Sequence, residues 1–266
     1  MPDDPIRWWQ SLTTAEVANL ASRDPVAILP LAAIEQHGPH LPLSTDLDIG
    51  LGVLAAAFQL LPDECPAWVL PPQALGASRE HTRFPGTISL EPELLIAAIE
   101  AAGDALARDG VRRLVLSNSH GGNRHALDEA GLRLREEHQM LVVEANWFHF
   151  PRPTGVDLPE AEWRHGFHAG AVETAMMMHL RPELVHDDEM PQGRSLGEEL
   201  ESTLLRLRPE GVASFAWLAG DLNADGVVGD ARRADPTMGA RLVSHYGAVL
   251  AEVIGDALAF PLDRLV

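Results

Sequence analysis

Residues 26–34 read Val-Ala-Ile-Leu-Pro-Leu-Ala-Ala-Ile, a nearly unbroken apolar run of strand length that stops at Glu35. A strand that is apolar on both of its alternating sides needs cover on both, as a central strand has in a parallel sheet lying between helices. Three further short apolar runs, at 68–70, 111–116 and 141–145, alternate with segments of helical composition at 47–61, 91–108 and 124–138. This alternation predicts an α/β fold with a mainly parallel central sheet and helices on both faces. Thr13 and Glu16 have capping-box spacing for a short helix to about Ala21, and more helices are expected at 169–180, 196–207 and 236–258. Residues 151–162 read as irregular. With no repeat or linker in the chain, one domain over 1–266 is expected.

Charge and cysteine usage narrow the partners. The 39 acidic and 20 basic residues give a formal charge of −19, which repels phosphate backbones and anionic lipid, so no nucleic-acid or membrane partner is expected. No apolar stretch is read as approaching the roughly 20 residues that span a bilayer. Cys65 has no second cysteine to pair with, and residues 1–10 carry Asp3 and Asp4 without an apolar run, so the expected location is cytoplasmic.

Parallel sheets bind ligands beyond the carboxyl ends of their strands, and there the chain places polar clusters. Residues 35–46 hold Glu35, His37, His40 and Asp46. If the extended backbone continues past Ile34, Glu35 and His37 project from the same side, a spacing that suits two metal ligands. A polar loop with Asp46 capping the next helix would also explain the segment. Residues 117–123 read Ser-Asn-Ser-His-Gly-Gly-Asn. Gly121 and Gly122 let backbone N–H groups approach a ligand, although a tight turn with a surface His120 is equally compatible, and a phosphate loop would need a lysine that is missing. Residues 165–174 contain His168 and Glu173 and lead into Met176, Met177 and Met178, which read as core. Glu173 lies among apolar neighbours, where a carboxylate needs a partner or a cation.

Taken together, Glu-Gln-His-Gly-Pro-His-Leu-Pro-Leu (35–43), His-Gly-Gly-Asn (120–123) and His-Ala-Gly-x-x-Glu-Thr (168–174) resemble the creatininase family in order and spacing. Residues 76–81 and 84–89 resemble its middle segment, so the similarity runs over about 26–182, with 226–230 as a further match. The resemblance implies a compact α/β fold, a homo-oligomer (usually a hexamer), and a dinuclear zinc, manganese or iron site that hydrolyses non-peptide or otherwise unusual C–N amide bonds of small molecules. By position, Glu35 and His120 would bind one metal and His37 the other, with Asp46 bridging. Creatininase itself has Tyr-Glu after the histidine of the second cluster, and that glutamate is a ligand. This chain has Gly121-Gly122, so Glu173 is the expected fifth ligand. Arg164 also stands where creatininase has a tryptophan, and both departures weigh against creatinine as substrate. Trp147 or Trp163 would then be the source of an aromatic wall. Members with His-Gly-Gly-Asn include a formamide hydrolase and a mycofactocin-precursor peptidase, which leaves a cyclic amide, a formamide or a small peptide-like substrate.

Two cations about 3.5–4 Å apart would acidify a bridging water and polarise the amide carbonyl. His168 is the candidate general acid for the leaving nitrogen and a substrate contact, and Ser78 and the Gly121 amide are candidates for holding the substrate. The competing readings are a two-metal phosphoesterase and a non-catalytic metal-binding protein. His125, His138, His149, His179, His186 and His245 read as surface or packing residues. Asp221-x-Asn223-x-Asp225-Gly226 imitates the start of a calcium loop, but Arg232 stands at the closing position.

Overall fold

The computed structural model describes residues 4–265. Strands β1 (Val26–Leu31), β2 (Ala67–Val69), β3 (Arg113–Asn118) and β4 (Leu141–Asn146) form one parallel sheet in the order β2-β1-β3-β4. β2 lies on one side of β1 and β3 on the other, so the connections that leave β1 and β3 diverge. This reversal opens a crevice at the carboxyl edge of the sheet, and residues 35–46 and 119–123 emerge into it.

All six residues of β1 are buried, and its alternating sides enter two separate cores. Val26 and Ile28 meet Ile49 and Val53 of α2 (Thr45–Phe58), Met176 of α6 (Ala171–Leu180), and Leu242 and Leu250 of α9 (Pro236–Ala259). Ala27, Leu29 and Leu31 meet Leu95 and Ile99 of α3 (Pro92–Arg108) and Leu127 and Leu134 of α4 (Arg124–His138). Helices therefore cover both faces, as the unbroken run at 26–34 requires. The capping box forms at Thr13, with Glu16 as its partner, and opens α1 (Thr14–Ala21).

Some boundaries differ from the sequence reading. β1 ends at Leu31, because Ala32 turns to bond Gln73 and Ile34 bridges Ile88. The stretch 151–162 is not wholly irregular, since α5 (Glu160–His165) begins within it. α7 (Leu196–Thr203) stops short of 207, and Leu207–Arg208 instead pairs with Ala213–Ser214. α9, at 24 residues, is long and apolar enough by length and composition to cross a bilayer, which corrects the expectation that no such stretch exists. Its Leu242, Tyr246, Leu250 and Ile254 are buried in the core beneath α2 and α6.

Candidate metal centre

Each ligand candidate is placed by a strand end or a helix start. Glu35 follows β1, and its N–H bonds the Leu43 carbonyl at 3.2 Å, closing the loop that carries His37. Asp46 lies in the first turn of α2, but its side chain is buried rather than capping. His120 follows β3, and Glu173 lies in the first turn of α6. His120 Nδ1 is 3.3 Å from both Glu35 Oε1 and Asp46 Oδ2. His37 Nε2 is 3.5 Å from Asp46 Oδ1 and 3.8 Å from Glu173 Oε2. Three overlapping donor triads result, Glu35-Asp46-His120, His37-Asp46-Glu173 and Glu35-His37-His168, each with its atoms within 4.8 Å of one another and with Asp46 common to the first two.

The hydrogen bonds around this centre leave its inner atoms free. Among the described residues, Glu35 Oε2, His37 Nε2 and Asp46 Oδ2 are buried without a hydrogen-bond partner. Such orphans are costly unless something occupies the space between them. His37 Nδ1 lies 3.2 Å from the Glu35 carbonyl and His120 Nε2 lies 3.0 Å from the Ala77 carbonyl. A carbonyl can only accept, so each ring donates outward and aims its lone pair inward, as metal-binding histidines do. Buried carboxylates and imidazoles without thiolate suit zinc, manganese or iron.

Without cations, protons take their place. Burial opposes charge on His37, but Asp46, Glu173 and Glu35 prevail and push its pKa up to about 9. His120 is raised against burial by Glu35 and Asp46, and Glu35 is lowered against burial by His120 and His81. Glu173 is pushed up to about 7 by burial, partly offset by His37 and reinforced by Asp46. Burial and the neighbouring His81 and His37 hold His168 neutral.

His168 joins the same centre, with Nδ1 3.7 Å from Glu35 Oε1 and its ring 4.3 Å from that of His37. Ser78 is fully buried, with its hydroxyl 3.2 Å from His120 Nε2, so it touches the histidine rather than facing open space. Gly121 is exposed, and nothing lies within 4 Å of where its Cβ would be. Trp147 packs in the core against Tyr246, and Trp163 lies under the Arg152 guanidinium. None of the six histidines read as surface or packing residues is buried. The side chains of Asp221 and Asn223 accept bonds from nearby backbone N–H groups, which shapes a turn and does not require calcium.

Three residues at the centre were not singled out from sequence. Gln36 Nε2 donates to His81 Nδ1 at 2.9 Å and to the Gly226 carbonyl at 3.0 Å. Both its hydrogens are then used, so His168 Nε2 carries the proton it donates to the Gln36 carbonyl at 2.8 Å. His81 stacks on His168 at 4.2 Å and turns Nε2 to Glu35 at 3.6 Å. Glu80 Oε1 lies 3.8 Å from His120 Nε2, on the side away from the triads. Glu80 and His81 lie in the 76–81 segment whose resemblance to the family is noted above, and that segment was the signal for them.

Residues 10–254 match the family described as Creatininase, creatinine amidohydrolase. A mycofactocin precursor peptide peptidase of Mycolicibacterium smegmatis is 34% identical over 236 residues, covering 88% of this chain and 86% of its own. A solved structure described as creatininase Mn aligns with a TM-score of 0.74 at 25% identity, over 94% of this chain and 98% of its own. A mutant creatininase described as Zn-Zn type gives 0.73 at 26% identity, over 94% and 97%.

Proposed function

Because the chain belongs to the creatininase family of hydrolases, we propose that it cleaves a C–N amide bond at a centre of two divalent cations. Glu35 and His120 would hold one and His37 and Glu173 the other, with Asp46 shared. The observation that carries this reading is the convergence of three orphaned buried atoms, Glu35 Oε2, His37 Nε2 and Asp46 Oδ2, with the inward lone pair of His120 Nδ1. When bound, the cations supply Lewis-acid polarisation of the carbonyl and acidification of water. Zinc, manganese and iron are the candidates.

The protein's own groups then orient and move protons. Ala77 and Glu35 carbonyls fix the rings of His120 and His37. His168, with Nε2–H held by Gln36, exposes the Nδ1 lone pair to the centre, where it would accept the proton given up by the attacking water and pass it to the leaving nitrogen. The Gly121 amide is proposed to hold the substrate, while Ser78 acts through His120. The peptidase relative favours a peptide-like amide, and Gly122 and Arg164 weigh against creatinine. A phosphoesterase would also need unpaired basic side chains facing the phosphate, but Arg79 pairs with Glu91 at 3.8 Å, and Arg164 pairs with Glu160 and Glu201.

Elemental analysis of wild type beside Glu173→Ala, after metal add-back, tests the assignment together with hydrolysis of peptide, formamide, lactam and phosphoester panels. Two metals per chain falling to about one, with amide turnover, is expected. Two metals retained in the variant would overturn the ligand set, and phosphoester turnover alone would overturn the reaction.

A further inference from the structure

Glu162, in α5, is only 5% exposed, and its cationic neighbours Arg164 and His165 pair with other carboxylates. Its two oxygens are spent on backbone instead. Oε1 accepts from Ala171 N–H, the first residue of α6, at 2.9 Å, and Oε2 accepts from Asp230 N–H at 2.9 Å. The carboxylate fits because three residues around it lack side chains. A Cβ on Gly166, Gly170 or Gly229 would lie 2.4, 2.8 or 2.7 Å from Oε1. The helix start rewards the negative charge, which offsets part of the cost of burying it.

The turn so held is the one that carries the chemistry. His168 bridges Val228 through backbone bonds of 3.2 and 2.7 Å. Ala169 takes a φ of 53° and gives its N–H to Glu173 Oε2 at 2.6 Å. We propose that Glu162 is a positioning residue that clamps the start of α6 to the 228–230 segment and thereby sets Glu173 and His168 at the centre. Its link to metal rests on the two-cation reading above.

Glu162→Gln tests the clamp, since an amide nitrogen cannot accept from an N–H and one of the two bonds becomes a donor facing a donor. Calorimetric titration of the metal-free variant with Mn²⁺ or Zn²⁺ is expected to show one of two sites weakened about 10–100-fold and the other kept. Leu134→Ala, in the core on the opposite sheet face, lowers the melting temperature without this split. If wild type binds two ions and Glu162→Gln binds both at wild-type affinity, the clamp does not serve the centre and the proposal falls. Amide exchange of the metal-free proteins reads the clamp without metal. Faster exchange at 166–173 and 228–230, with β1 and β3 unchanged, supports it, and unchanged exchange there overturns it. Wild type binding fewer than two ions would sink the two-cation reading alone, leaving exchange to decide the clamp.

Discussion

Replacing Gly122 by alanine should damage one half of the centre and spare the other. A Cβ there would lie 2.3 Å from the Ala77 carbonyl oxygen, 2.5 Å from Glu80 Oε1 and 2.5 Å from His120 Nε2, all inside the 3.0 Å that real Cβ contacts respect. Glu80 can swing aside, but the Ala77 oxygen is backbone and is also what orients His120, at 3.0 Å. The overlap can be relieved only if the backbones at 77 and 122 move apart and the His120 ring shifts with them, which breaks the bond between that ring and the Ala77 carbonyl. Overpacking of this kind costs about 1–3 kcal/mol, and at roughly 2 °C per kcal/mol for a chain of this size the melting temperature should fall by about 2–6 °C. Loss of the outward bond on a ligand histidine typically weakens metal binding about 10–100-fold. Thermal denaturation of the metal-free protein and calorimetric titration with Mn²⁺ measure the two effects separately. Wild-type affinity at both sites, or equal weakening of both, would refute the placement of His120 in one triad only. Gly122→Glu meets the same overlap at its own Cβ, so it should bind metal no better than the alanine variant, although creatininase carries a glutamate at this place.

Metal binding near pH 7 should release protons. The His37 proton stabilises the metal-free fold fully below its ordinary pKa of 6.5, and that contribution is lost as pH rises through about 9. A cation needs the ring deprotonated, so affinity should tighten over the same window, and titrations in buffers of different ionisation heat should differ in apparent enthalpy; identical enthalpies would contradict this. Chelation should lower the melting temperature by about 5 °C for each site previously held at 100 times its Kd, since that ligation is worth about 2.7 kcal/mol per site, whereas a chelator-insensitive melt would argue against tight sites. Gly239→Ala places a Cβ 1.8 Å from the Ala175 carbonyl oxygen where α9 crosses α6, so a loss of at least about 1–3 kcal/mol is expected in denaturant titration, and an unchanged midpoint would mean that the helices part easily.

The sheet was legible because β1 is covered on both faces, which writes an apolar residue at almost every position of 26–34. The candidate donor cluster was legible for a related reason: a carboxylate or imidazole directly after such a run, or Glu173 inside an apolar helix, contradicts its surroundings unless something balances it. α5 was not, since a six-residue helix after Pro151, Pro153 and Pro159 is too short to show a period. Glu162, Gln36 and His81 escaped for a different reason. Their meaning lies in partners far along the chain, such as the Gln36 carbonyl with His168, 132 residues away. The ring orientations are further still from sequence, because the groups that set them are the carbonyls of Glu35, Gln36 and Ala77. Every residue owns a carbonyl, so no side-chain pattern marks which one a histidine will use. A candidate donor set can therefore be named from residue types, but which nitrogen faces the centre is decided by where the strand ends leave the backbone, and only the fold supplies that.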